Sequence, residues 1–235
     1  MKTDLSSSNS FNIARLPGLA KAAGAQHPEH VIRVLRNTYA LLAMTLLFSA
    51  GVAVATLTFE LPAPGLIITL VGTFGLLYAV HKLQNSVWAL PAVFALTGFM
   101  GYTLGPILSR SLAMPDGAET VALALAATGA TFVALSAYVL LTRRDFSFMG
   151  GFLFAGMVIA LIAGVAAMLL EIPSLALVVS AMVALLSAGL ILFETSEIVN
   201  GGEANYVMAT VSLYVSVFNL FTSLLSLFGL GGTDE

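Results

Sequence analysis

The chain contains no cysteine. A disulfide, a thiolate metal site and a cysteine nucleophile are therefore excluded. Charge is nearly as scarce. Asp, Glu, Lys and Arg make up 9% of the residues, against about a quarter in an ordinary soluble domain. The net charge of −3 is too small to point to a nucleic-acid partner. Histidine occurs three times, at His27, His30 and His81, and none is paired with a second ligand at zinc spacing. There is no phosphate-binding glycine loop, no G-x-S-x-G and no H-E-x-x-H. These gaps argue against an enzyme and against a resident cofactor. No ten-residue segments of alternating polarity suggest a membrane barrel.

What is present is apolar. Hydrophobic residues make up 59% of the chain and its mean hydropathy is +0.99. The natural partner of such a surface is a lipid bilayer. A helical span needs roughly 20 apolar residues. Seven segments qualify, near Tyr39–Phe59, Ala63–Val80, Val87–Leu108, Thr120–Leu141, Phe148–Leu170, Ser174–Phe193 and Tyr206–Phe228. Open sheets cannot satisfy their backbone in lipid, so the expected fold is all-α, a polytopic seven-helix bundle. It should run from residue 38 to 229. Residues 1–37 are polar, lack a cleavable apolar leader and read as a cytosolic tail. Residues 230–235 form a short carboxy-terminal tail.

Basic residues predict the orientation. Lys2, Arg15, Lys21, Arg33, Arg36, Lys82, Arg143 and Arg144 fall on one side of the predicted membrane, and only Arg110 falls on the other. The amino terminus is expected in the cytoplasm and the carboxyl terminus outside. The loop between spans six and seven should also be cytoplasmic, yet it carries Glu197 and Glu203 and no basic residue. Acidic residues have little weight in orientation.

Glu194 is the sharpest candidate for function. It ends the apolar run of span six, and an ionisable group in a membrane segment is a functional hypothesis by default. The alternative is that the helix ends there and Glu194 and Glu197 sit among headgroups. The two carboxylates are three apart and share a helix face. Lys82 is predicted at the same side, where it could pair with Glu194 or merely follow the basic bias. Span seven carries Ser212, Ser216, Asn219, Ser223 and Ser226 at spacings of 4, 3, 4 and 3, one polar stripe on a helix. The stripe is either a close-packing seam or the wall of a hydrated path. Asn219 favours the path, because its amide needs several partners inside a membrane. Gly101 and Gly105 form a G-x-x-x-G pair in span three, followed by Pro106, which is expected to kink or end the helix.

The string from Ile191 to Leu225, with Glu194-Thr195-Ser196, Gly201-Gly202-Glu203, Asn205-Tyr206 and Ser212-Leu213-Tyr214-Val215-Ser216 followed by Asn219, resembles the last two helices of the Bax inhibitor-1 family. The stretches Leu35–Ala50, Thr97–Ser109 and Thr142–Gly151 fit as well, and the likeness is to the bacterial YccA-like branch. The resemblance implies a seven-helix bundle with the last helix central, placed in a bacterial inner membrane. It implies a low-conductance calcium or proton leak with pH sensitivity or, as the alternative, modulation of a membrane-bound AAA protease that the amino-terminal tail would engage. It implies no catalysis. In the family a helix-six carboxylate pairs with one on helix seven. Here those positions hold Glu194 and Ser216, so the carboxylate pair is broken. Lys82 stands nearest to the family's basic residue on helix two. On this reading Glu194, Ser216, Lys82 and Glu197 form the gate, Ser212, Asn219 and Ser223 line the path, and Glu194 holds calcium weakly and in passing.

Overall fold

Long apolar runs with few charges leave the backbone one way to satisfy itself in lipid, and the chain takes it. A computed structural model of the protein describes residues 28–231, and among them there are helices and no strand. The seven long helices are α1 (Pro28–Thr58), α2 (Leu66–Leu83), α3 (Ala89–Leu112), α4 (Gly117–Thr142), α5 (Gly150–Leu169), α6 (Pro173–Val199) and α7 (Tyr206–Gly231). A 3₁₀ turn, Ser147–Met149, precedes α5. All seven are long and apolar enough to cross a membrane.

The end of the bundle that carries Arg33, Arg36, Lys82, Arg143 and Arg144 is called the basic end below, and the opposite end the far end. α7 is the axis. Half of its span is buried, against 6% for α2. α1, α3, α4 and α6 surround α7, α2 packs outside α3, and α5 packs outside α6. The polar side of α7 thus meets protein rather than lipid.

Three helices run further than their apolar stretches suggest. α1 begins at Pro28, eleven residues before Tyr39. Pro28 starts the helix, where its missing N–H costs nothing. Val34, Thr38, Leu41, Leu42 and Thr45 then continue one buried face while Arg33 and Arg36 stay exposed. Residues 28–37, read from sequence as tail, are therefore helical, and the rest of that tail lies outside the described residues. α3 passes through Pro106 to Leu112, so the proline does not end it. α6 continues six residues past Phe193 to Val199.

The seam between α1 and α3 explains the glycine pair. A Cβ on Gly105 would come within 2.5 Å of Thr56 Cγ2, and one on Gly101 would overlap the backbone oxygen of Ser49. Hydrophobic force between helices is absent in lipid, and close backbone approach replaces it.

Candidate functional site

α6 does not end at Phe193, so Glu194 lies within the helix rather than in a loop. Its side chain turns inward to α7, where Ser216 Oγ donates to Glu194 Oε1 at 3.0 Å. Ser216 is buried, at 1% exposure. Glu194 Oε2 is also buried and, among the described residues, accepts no hydrogen bond. A buried carboxylate with one hydroxyl partner is an expensive arrangement for a membrane helix.

The other predicted residues sort into two groups around this contact. On the basic-end side lies a cavity of about 200 Å³, lined by Glu194, Glu197, Glu203 and Ser212 together with Phe193, Gly202 and Ala209. Toward the far end lies a larger cleft of about 620 Å³, where Asn219, Thr222, Ser223 and Ser226 form one wall, facing residues of α2, α3, α5 and α6. Ser226 also accepts from Ser180 Oγ of α6 at 3.2 Å. The stripe on α7 therefore does two jobs. Ser216 and Ser226 bind α6, while Ser212, Asn219 and Ser223 face open space. Ser216, which bonds Glu194, stands on the stripe between Ser212 at one cavity and Asn219 at the other.

Lys82 stands apart. It is exposed in the last turn of α2, and α2 packs on α3 rather than on α6 or α7. Among the described residues no ion pair joins it to Glu194, so of the two readings left open by topology the structure shows the exposed residue and not the pair. The same peripheral placement of α2 is the reason. Nor, among the described residues, do three or more histidine or acidic side chains gather to hold a metal ion.

The structure gives partners to residues that the sequence placed only in the family string. The loop between α6 and α7 is tied to both neighbouring loops. Asn205 Nδ2 donates to Gln84 Oε1 and to Asn85 Oδ1, each at 3.2 Å, on the α2–α3 turn. Asn205 Oδ1 accepts from the Val207 backbone N–H at 2.9 Å, capping α7. On the other side, buried Ser196 accepts from the Phe146 backbone N–H at 2.9 Å and donates to the Arg144 carbonyl at 3.2 Å. Asn200 Nδ2 reaches Ser196 Oγ at 3.1 Å. In the same loop Ser147 donates its backbone N–H to Asp145 Oδ1 at 2.8 Å. That bond, with a second from the Ser147 hydroxyl, holds the exposed Asp145 carboxyl below its usual range. Asn205 had a legible signal, a good capping residue just before an apolar run. Ser196 had only its place in the family string, because its partners lie about fifty residues away in sequence.

Tyr214 is the third such residue. Its hydroxyl pairs with Ser49 Oγ at 2.6 Å and donates to the Thr97 carbonyl at 3.3 Å. It ties α7 to α1 and α3 on a face turned away from Glu194.

With this geometry in place, comparison with known proteins is direct. The family model described as "Inhibitor of apoptosis-promoting Bax1" matches residues 31–233. A protein of Escherichia coli called "Modulator of FtsH protease YccA" is 52% identical over 202 residues, which is 86% of this chain and 92% of that protein. "Inner membrane protein YccA" of a second Escherichia coli strain matches to the same extent. An uncharacterized protein of Pseudomonas aeruginosa is 50% identical over 86% of this chain and 91% of its own length. Seven spanning helices, an inner-membrane relative and a family match across nearly all the described residues agree, and the chain belongs to the Bax inhibitor-1 family, on its bacterial YccA-like side.

Proposed function

We propose that this protein is a regulatory component of a bacterial inner membrane that modulates a membrane-bound AAA protease. The observation that carries this reading is the 52% identity, over most of both chains, to a protein named as a modulator of FtsH protease. The basic end supports it. Its loops are cross-tied through Asn205 and Ser196, so a partner docking there would lose little free energy to loop ordering. The test is degradation of a membrane substrate by the protease in vesicles, with and without this protein. The rate should change when it is present. Deleting residues 2–27 should weaken that change and leave thermal melting of the bundle as it was. An unchanged rate would remove the reading, and a collapse of melting would remove the assignment of the tail to the partner.

Orientation belongs to the same reading. Eight basic residues against one favour a cytoplasmic basic end, which would place the carboxyl terminus outside. A carboxy-terminal reporter active only outside the cytoplasm is expected to be active. Activity solely of a cytoplasmic reporter would reverse the assignment.

A second reading is favoured by one observation, the cavities on either side of the Glu194–Ser216 contact. In it the protein is a low-conductance calcium or proton leak, closed in this structure and opened when that contact parts. Calcium takes six to eight oxygens, so Glu194 with a serine would hold it only in passing.

A further inference from the structure

The face of α7 turned away from Glu194 borders a groove that neither reading uses. It lies between α1 and α4, backed by α3 and α7, and encloses about 560 Å³. Leu46, Ala53, Leu104, Leu125, Val217 and Phe221 are typical of its walls. The few polar groups along it are already engaged. Ser49 and Tyr214 bond each other at 2.6 Å, and Thr128 donates to its own helix at 2.7 Å. Nothing in the groove would hold water, and an apolar space of this kind is filled by apolar matter.

Its ends and its length identify the filler. Beyond the groove on the basic-end side, about two turns along α1 and one along α4, the rings of Tyr39 and Phe132 meet with centroids 5.9 Å apart. At the other extreme Leu57, Leu112 and Val121 lie near the ends of their helices, so the groove reaches the far-end interface. Along α1 it runs from Leu46 to Leu57, roughly 16 Å at the rise of an α-helix. That is about the thickness of one leaflet, half of a hydrocarbon core of about 30 Å. A helix that crosses the membrane needs about 30 Å of path and would overrun the groove, whereas a hydrocarbon chain of one leaflet matches its length. The flanks Leu47, Val54 and Leu125 are exposed to the bilayer, which gives such a chain a lateral way in.

We propose that this groove is a binding site for one acyl chain of a phospholipid from the far-end leaflet, its headgroup remaining at the interface. The chain packs on Tyr214, Val217 and Phe221, and so braces α7 from behind against the contact that Ser216 makes with Glu194. No charged side chain lines the groove, so retention does not depend on the headgroup.

The test is native mass spectrometry of the purified full chain after extraction and detergent exchange, in mixed micelles holding a zwitterionic or an anionic phospholipid. Gly129 lines the groove, and a Cβ there meets no atom within 4 Å. Gly129→Phe fills the groove from α4, and Ala50→Phe fills it from α1. Gly75→Phe is the control, since Gly75 lies on α2 with equally open space around it. The wild type and the control are expected to retain one phospholipid with either headgroup, and both groove variants to lose it while still melting cooperatively. A wild type that emerges without lipid overturns the proposal. Equal retention by both groove variants overturns it too. A bound mass matching a free fatty acid overturns the phospholipid source, and retention of the anionic lipid alone points to a headgroup site elsewhere and overturns the groove. Should a groove variant fail to fold, the wild-type arms still decide.

Discussion

Gly101→Ala is expected to destabilise the bundle by about 1–3 kcal/mol, the range for overpacking a tight contact, and Gly101→Val by more. For a chain of this size each kcal/mol lowers the melting temperature by roughly 2–4 °C. The reason is the identity of the obstructing atoms. An added methyl at Gly101 meets the backbone oxygen and, at 3.0 Å, the Cα of Ser49. A backbone cannot swing aside as a side chain can, so α1 and α3 must separate. Separation would also loosen Ser49 from Tyr214, and with it one of the bonds that fix α7. Gly129→Ala is the internal comparison. It adds the same methyl where nothing lies within 4 Å, and a mid-helix glycine costs roughly 0.5–1 kcal/mol relative to alanine. It should leave stability unchanged or raise it. Thermal melts of the two variants in one detergent check the pair. Equal effects would mean that the α1–α3 seam is looser than the distances show.

The second large effect is expected in ion flux. If cations cross along α7, they must part Glu194 from Ser216. Glu194→Gln keeps the size of the side chain and an oxygen for Ser216 to bond, but removes the charge. The fold should persist and calcium flux into liposomes should change. Ser216→Asp brings a second carboxylate within hydrogen-bond reach of the first. Two carboxylates so close cannot both stay ionised, and they titrate as a pair. Flux through that variant should therefore depend steeply on pH between about 6 and 8, where a shared proton is gained and lost. Four identical profiles, the double variant included, would remove Glu194 as a gate and leave protease modulation as the surviving function.

Sequence carried the architecture because a bilayer allows so few solutions. Length and hydropathy were enough for seven helices, and a 4-3-4-3 spacing was enough to place five polar side chains on one face of α7. Helix ends were harder to read. Apolar content stops at Phe193, but helix formation does not, since Thr195, Ser196 and Ile198 are buried by packing on neighbours rather than by lipid. That one difference decides whether Glu194 faces headgroups or Ser216. The site was legible where it is local in sequence or falls on one helix. It was illegible where it depends on which helices touch. Lys82 and Glu194 share an end of the bundle, yet α2 is held off by α3. Tyr214 stood in the family string with no partner legible, because its bond to Ser49 spans 165 positions.

The tied loops at the basic end have a mechanical consequence. Asn205 fastens the α6–α7 connection to Gln84 and Asn85, and Ser196 fastens the last turns of α6 to the strand of backbone from Arg144 to Phe146. Three surface loops thus behave as one plate. A load applied at the exposed Arg143 and Arg144 is carried into α6 through Ser196, two residues from Glu194. Any torque on the plate is delivered to the carboxylate end of the Glu194–Ser216 contact while Tyr214 anchors α7 from the opposite side.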